Sequence, residues 1–558
     1  MTAARAEAVA PGRASRRRAP SVLRSGAVMA AGSVVSRATG FARSAVVAAA
    51  IGVGTVADGY AVGNSLPTIV YMLLIGGALN AVFVPELVRA AKEHADGGAA
   101  YTDRLLTVCV LALLALTACA VWAAPAIVDA YTDYPPGRTA MTVAFARYCL
   151  PQILFLGLFT LLGQVLNARG CFGAMMWTPV LNNVVVIAVF CLYLAAFGAS
   201  DGGTLDAAGT ALLGWGTTAG IVVQTLALLP ALRAARFRFR PRFDWRGSGL
   251  TRPLRNAGWL VLLVLTNQAA YWLTTRLATT AGLRAEAAGI EGGAGFSAYN
   301  NAYLLWAVPH GIITVSLMTA LLPRMSAAAA DADTAAVRRD VSYALRGSAA
   351  AVVPAACGLF ALAQPVMALV FGYGGTDEAA VAVMAGTLMA FAPGLVAYSG
   401  QYVLSRTFYA LSDTRTPFLL NLVTVALNAG LSVAAYATLP ARWAVTGIAA
   451  GYSVAMWAGW AVTALVLHRR LAATRDARTG PARAFAAQAR LLVAAVPATA
   501  LGYGAARWAE AGGAAASAGA GAAAIGATFV LLARPLRLTE IDALVTGAVT
   551  RLRRRHPS

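Results

Sequence analysis

An all-α polytopic membrane protein with about 14 transmembrane helices is the fold class this sequence predicts, on three observations. Of 558 residues, 59% are hydrophobic and 12% charged, about half the charged share of a soluble domain, and mean hydropathy is +0.67. Apolar runs recur almost to the last residue. A span needs about 20 apolar residues, so fourteen would use roughly 280 and leave short loops. Finally, basic residues gather in alternate loops, as orientation in a bilayer requires. This composition excludes a soluble enzyme and a disordered chain.

In chain order the apolar runs place helices near 25–50, 60–85, 105–127, 141–167, 175–198, 210–232, 255–276, 297–323, 342–366, 380–405, 417–438, 443–467, 487–507 and 516–534. The first run follows a basic stretch, as a signal peptide would. It carries Arg37 and Arg43 and leads directly into further spans, so it reads as a retained helix. Of the 44 Lys and Arg residues, 35 fall on one side of this arrangement and five on the other. The five are Arg138, Arg276, Arg284, Arg442 and Arg507, while Arg37, Arg43, Arg147 and Arg346 lie at membrane depth or its edge. The basic side is the cytoplasmic one, which puts both termini in the cytoplasm.

A repeat divides the chain. GGALNAVFVPELVRAA (76–91) resembles VSLMTALLPRMSAAAA (315–330), and WTPVLNNVVV (177–186) resembles RTPFLLNLVT (415–424). Pro85 to Pro323 and Pro179 to Pro417 are both offsets of 238 residues. Six spans, an even number, fit in that offset, so the copies are parallel repeats about an axis along the membrane normal. The expected organisation is a basic cytoplasmic tail (1–24), an N-lobe of spans 1–6 (25–232), a basic linker (233–254) and a C-lobe of spans 7–12 (255–467). A cytoplasmic loop (468–486), a final helix pair (487–534) and a basic tail (535–558) complete it. The segment RAARFRFRPRFDWRGSGLTRPLR (233–255) suits either an anionic membrane surface or a solvated connector. The Gly/Ala-rich stretch 511–527 suits close helix packing.

Chemistry-bearing motifs are few. No Walker, dinucleotide, HExxH or GxSxG pattern stands in a suitable context, and the reading is a transporter without covalent chemistry or cofactor. The six cysteines form no CxxC pair and fall mostly in apolar runs, which is neither a zinc site nor a disulfide framework. The net charge of +21 lies between apolar segments, as orientation requires, and calls for no nucleic acid.

Charges at membrane depth are the informative residues. An arginine at a helix centre costs about 2.5–3.5 kcal/mol on insertion scales. Arg37 and Arg43 lie six residues apart in the first span, about 9 Å along the axis and 240° around it. With few carboxylates to neutralise them, they predict a cationic cavity for an anionic ligand. Arginine forks match phosphate and carboxylate oxygens, and a phosphate-bearing lipid fits because its tails stay in hydrocarbon. The alternative is a pair of structural or snorkelling arginines. Asp58 is a candidate to pair with Arg43, to bind a cation, or to cap the second helix. Asn64 and Pro67 follow, Pro67 as a gating bend or a packing kink. Arg147 and Arg276 are weaker cavity candidates near span ends. His310 reads as a satisfied helical histidine rather than a proton relay.

The stretches SRATGFAR (36–43), ADGY (57–60), LPTIV (66–70), GGALNAVFVPEL (76–87), NARGCFGAMMWTPVLNN (167–183) and VPHGIITVSLMTALLPRMS (308–326) resemble the MurJ/MviN family, over about residues 25–535. The resemblance implies a lipid II flippase of the multidrug/oligosaccharidyl-lipid/polysaccharide exporter superfamily in the bacterial plasma membrane. Its substrate would be an undecaprenyl-pyrophosphate-linked peptidoglycan precursor, with membrane lipids and cell-wall synthesis proteins as further partners. It implies two six-helix lobes about a cationic cavity, and a final helix pair with a groove for the lipid tail. Arg37 and Arg43 match the cavity arginines, and Asp58 the carboxylate of the second helix. Tyr71 and Leu304 stand where some members have arginine, and Gly76 where some have glutamate. These departures leave room for a paralogue carrying another polyprenyl-phosphate lipid. A multidrug exporter of the same architecture and a non-transporting scaffold for cell-envelope enzymes are the rival readings.

Overall fold

The computed structural model describes residues 22–72, 98–169, 171, 173–200, 205–244, 258–290, 292–471 and 480–542. Both basic tails (apart from the residues within those bounds), Gly76, the repeat segment 76–91 with Pro85, and the linker beyond residue 244 lie outside the described residues.

Helices occupy the apolar runs in order. The first half of the chain forms α1 (Val22–Ile51), α2 (Thr55–Tyr71), α3 (Ala99–Trp122), α4 (Ala124–Tyr131), α5 (Pro136–Cys149), α6 (Gln152–Ala168), α7 (Gly173–Phe197), α8 (Ala207–Leu226) and α9 (Leu229–Ala234). The second half forms α10 (Gly258–Ala287), α11 (Phe296–Pro309), a π-helical turn (His310–Thr314), α12 (Val315–Ala330), α13 (Thr334–Ala361), α14 (Ala363–Phe371), α15 (Glu378–Phe391), α16 (Gly394–Ala410), α17 (Arg415–Thr438) and α18 (Ala441–Leu471). Two last helices follow, α19 (Gly480–Trp508) and α20 (Gly513–Ala533).

Among the described residues, eleven helices are long and apolar enough to cross a membrane. They number twelve if α15 and α16, bent by 47° at a short break, form one span. The protein is therefore an all-α, multi-pass membrane protein: buried hydrocarbon drives the spans, and each helix satisfies its own backbone. Helix starts in the turns are capped locally. Asp206, Asp333 and Asp377 accept hydrogen bonds from the amides of Gly209, Ala336 and Ala380 at 2.7–2.8 Å, covering donors that a helix start leaves open.

Helix pairs pack through small residues. Gly502 and Gly521 let α19 and α20 meet backbone to backbone, and Ser517 donates to the Ala506 carbonyl at 2.8 Å. The Gly/Ala stretch is a packing surface, as its composition predicts. Arg346 is anchored by Glu540 at 3.0 Å, just beyond α20. The main buried cluster lies in the second half around Trp306, Phe371 and Phe391. The first half has its own clusters, around Leu66, Leu150 and Leu161 and around Tyr60, Phe145 and Phe190.

Candidate functional site

Two cavities open beside α11. The first, of about 600 Å³, lies between the halves and is lined by α1, α2, α10 and α11, with Arg43, Asn64, Gln268, Asn300, Asn301 and Leu304 on its wall. The second, of about 490 Å³, lies within the second half. Tyr271, Asn300 and Tyr303 line both.

Of the residues the sequence singles out, Arg43 and Asn64 meet in the first cavity. Arg43 is half-buried, no salt bridge involves it among the described residues, and no carboxylate lines this wall. A partly desolvated guanidinium without a counter-ion is a ready receptor for an anion. Arg37 is placed elsewhere. It is half-buried, outside the cavity lining, and its Nη2 donates to the Gly311 carbonyl of the π turn at 3.4 Å. A Cβ on residue 311 would come within 2.5 Å of the Arg37 guanidinium, so a glycine there makes room for it. Arg147 is exposed and lines neither cavity.

Asp58 corrects the alternatives drawn from sequence. Gly54, not Asp58, is the cap residue of α2, and the Asp58 carboxylate reaches across to the second half. There it accepts from the amides of Phe296 at 3.1 Å and Ser297 at 2.6 Å. It is 3% exposed and acts as a borrowed cap for α11, whose own cap residue, Gly295, has no side chain to offer. Charge at a helix N-terminus is favourable because the open amides carry partial positive charge.

The neighbouring turns continue this seam. Gly375 donates to the Ala49 carbonyl at 2.9 Å, and Thr376 Oγ1 to the Ala48 carbonyl at 3.1 Å. Gly293, at φ +57°, lies so close to the Val53 carbonyl that any Cβ would overlap it. Farther around, Trp272 Nε1 donates to the Ala130 carbonyl at 2.8 Å, and Arg276 pairs with Asp133 at 2.8 Å. Arg276 thus serves the seam and lines neither cavity. Arg138 donates to both Glu286 carboxylate oxygens through its two terminal nitrogens, Nη1 and Nη2. Those hydrogen bonds hold the Glu286 carboxyl below the usual glutamate range. The end of the bundle formed by the turns 52–54, 132–135, 292–295 and 372–377 is therefore tied shut between the two halves.

The departures from the family pattern have physical outcomes. Leu304 lines the Arg43 cavity and puts hydrocarbon on its wall. The Tyr71 hydroxyl is tied to Thr160 of α6. His310 Nδ1 shares a hydrogen bond with Ser399 at 3.1 Å and packs on Tyr398 and Tyr402, which is the satisfied histidine. Sequence reasoning missed Gln268, Asn300 and Asn301 on the cavity wall and Ser297 at the seam. Adjacent amide pairs inside apolar runs, Asn267–Gln268 and Asn300–Asn301, were the available signal, since uncharged polar groups at membrane depth also need a reason.

Comparison with known proteins agrees with this geometry. The family described as "Lipid II flippase MurJ" matches residues 47–517. A lipid II flippase MurJ of Burkholderia cenocepacia is 30% identical over 392 residues, covering 69% of this chain and 72% of its own. A probable lipid II flippase MurJ of Rhizobium meliloti is 27% identical over 451 residues, 78% of each chain. Among solved structures, "Lipid II flippase MurJ, inward closed conformation" superposes with TM-score 0.71 at 16% identity over 91% of this chain and 99% of that one. An inward-facing multidrug transporter of the MATE family, in the MOP superfamily, gives 0.63 at 15% identity over 78% of this chain and 94% of that one. The superpositions show a shared fold, and the match along the chain shows the rest: this protein belongs to the lipid II flippase MurJ family.

Proposed function

We propose that this protein carries lipid II, the polyprenyl-pyrophosphate-linked peptidoglycan precursor, from the inner to the outer leaflet of the bacterial plasma membrane by alternating access. The observation that carries this reading is Arg43, in no salt bridge among the described residues, on the wall of a cavity between the two halves whose described lining holds no carboxylate. No bond is made or broken: the arginines replace the hydration that the pyrophosphate loses, while the polyprenyl tail stays in lipid.

The proposed topology has fourteen spans, with α2 and α10 joining the eleven or twelve helices described above, and both termini in the cytoplasm. The two six-helix lobes are parallel repeats, and α19–α20 form the final pair. The sealed seam then faces outward and the cavity serves the inner leaflet. Arg37, resting on a long bond to the Gly311 carbonyl, stands about 9 Å along α1 from Arg43 and engages the head group once that contact is released. Asn64 adds a polar contact within the cavity, while Arg147, exposed and outside both cavities, is left out of the proposed head-group contacts. Cell-wall synthesis proteins that make or consume this lipid are the natural partners.

The test is leaflet exchange of labelled lipid II in proteoliposomes. The Arg37→Ala/Arg43→Ala double variant should slow exchange at least tenfold; exchange at the parental rate would reject the mechanism. A cationic-drug exporter of similar fold would instead need acidic groups in the cavity, and its lining has none among the described residues.

A further inference from the structure

The chain that leaves α9 is held against the first half as an extended strip, residues 235–244. Arg236, at φ +55°, ends the helical path, and the Phe237 amide donates to the Leu232 carbonyl at 3.0 Å. Pro241 has no amide to donate and biases Arg240 toward extended backbone. Three side chains of the first half fix the strip in place. Arg169 donates to the Ala235 carbonyl at 2.6 Å and lies 5.1 Å from the Phe237 ring centroid. Thr107 Oγ1 accepts from the Arg242 amide at 3.0 Å. Arg104 pairs with Asp244, neutralising the one carboxylate of these ten residues.

The strip presents cations and aromatic rings outward. Arg236, Arg238, Arg240 and Arg242 are exposed, and Phe239 and Phe243 are 42% and 65% exposed. Guanidinium groups meet phosphate oxygens through paired N–H donors. Apolar rings among such cations are the composition of a segment that lies on an anionic leaflet. Depth separates this ligand from a soluble one. The charge-free run of α3 begins at Leu105, directly after Asp103 and Arg104, so Arg104 and Thr107 straddle the level at which hydrocarbon begins. The strip is bonded to both. Phospholipid phosphates lie at that level, whereas an acidic protein or a nucleic acid would have to displace lipid to reach it.

We propose that residues 235–244 form a docking surface for anionic phospholipid of the inner leaflet: the four arginines take the phosphates, and Phe239 and Phe243 enter the acyl boundary beside them. The choice of leaflet rests on the topology proposed above. The test uses the full chain. In native mass spectrometry after equilibration with equal amounts of phosphatidylglycerol and phosphatidylcholine, the parent protein should retain phosphatidylglycerol preferentially. Arg236→Gln/Arg238→Gln/Arg240→Gln/Arg242→Gln should lower that preference at least threefold. A parent without preference, or an undiminished preference in the folded variant, would overturn the docking surface and leave the lipid II reading standing. Should the variant not fold, Phe239→p-benzoylphenylalanine, irradiated in intact bacterial cells, replaces it. A phosphatidylglycerol adduct supports the proposal; an adduct with protein or nucleic acid only, or none, refutes it. The leaflet is read separately, by an impermeant maleimide that should label Arg240→Cys in inside-out vesicles. Labelling in right-side-out vesicles would overturn the topology and the inner-leaflet assignment with it.

Discussion

Asp58, in an apolar stretch of the chain, shows how much one buried side chain can do. Its two short bonds to the α11 amides are of the charged kind, worth about 1.5–3 kcal/mol each when intact. Asp58→Ala leaves two buried donors open at the junction of the halves, so the sealed end should loosen. A cysteine at Ser65, on the cavity wall, reports it: a membrane-impermeant maleimide added on the 52–54 side should react about tenfold faster in the Asp58→Ala background. An unchanged rate would mean that Asp58 does not hold the seam. The sequence marks Asp58 as important because carboxylates are rare there, but it does not reveal the partner, which lies 238 residues away. Arg37 teaches the same lesson. Its depth was legible from the apolar run, while its direction depended on a π turn that hydropathy does not register.

At the scale of elements, the helices fall on the apolar runs because burying hydrocarbon sets where a span lies, but several outrun them: α10 reaches Ala287 where the run ends near 276, and α13 starts at Thr334 ahead of 342. The breaks inside spans are less legible. Proline stands at two of them, Pro125 just after Ala123 and Pro393 at the α15–α16 bend, but Pro179 and Pro354 lie inside unbroken helices and Pro309 precedes a π turn, so a proline alone does not tell a break from a kink. The joints at the sealed end depend on turns. Gly374 has φ +60° and a Cβ there would overlap the Ala49 carbonyl, so a side chain meets both backbone strain and collision. Gly374→Val should cost about 1–3 kcal/mol from the strain alone. Thermal denaturation of the purified protein in detergent should show a clear fall in Tm; an unchanged Tm would show that the turn relaxes freely.

For the whole molecule, closure is spread over many small bonds rather than placed on one lock. The Arg138–Glu286 pair is partly exposed, so solvent screening limits its share to about 1 kcal/mol or less. Its pH dependence has a definite sign. Because Arg138 depresses the Glu286 carboxyl, the pair's contribution is complete above the ordinary glutamate pKa of about 4.3 and is lost as pH falls below it. Access to the cavity from the sealed side should therefore stay constant from about pH 5 to 8 and rise only in stronger acid. Glu286→Gln should remove the acid response attributable to this pair; an undiminished response in that variant would place its origin elsewhere.

The seam also has a consequence for how the molecule tolerates change. One of its joints is main chain bound to main chain, where Gly375 meets the Ala49 carbonyl. Amides and carbonyls are the same in every residue but proline. Mutational drift cannot unpick that joint through a change of side-chain chemistry, whereas the bonds made by Asp58, Thr376, Trp272, Arg276 and Arg138 last only while those side chains do, and Gly293 and Gly374 must stay bare.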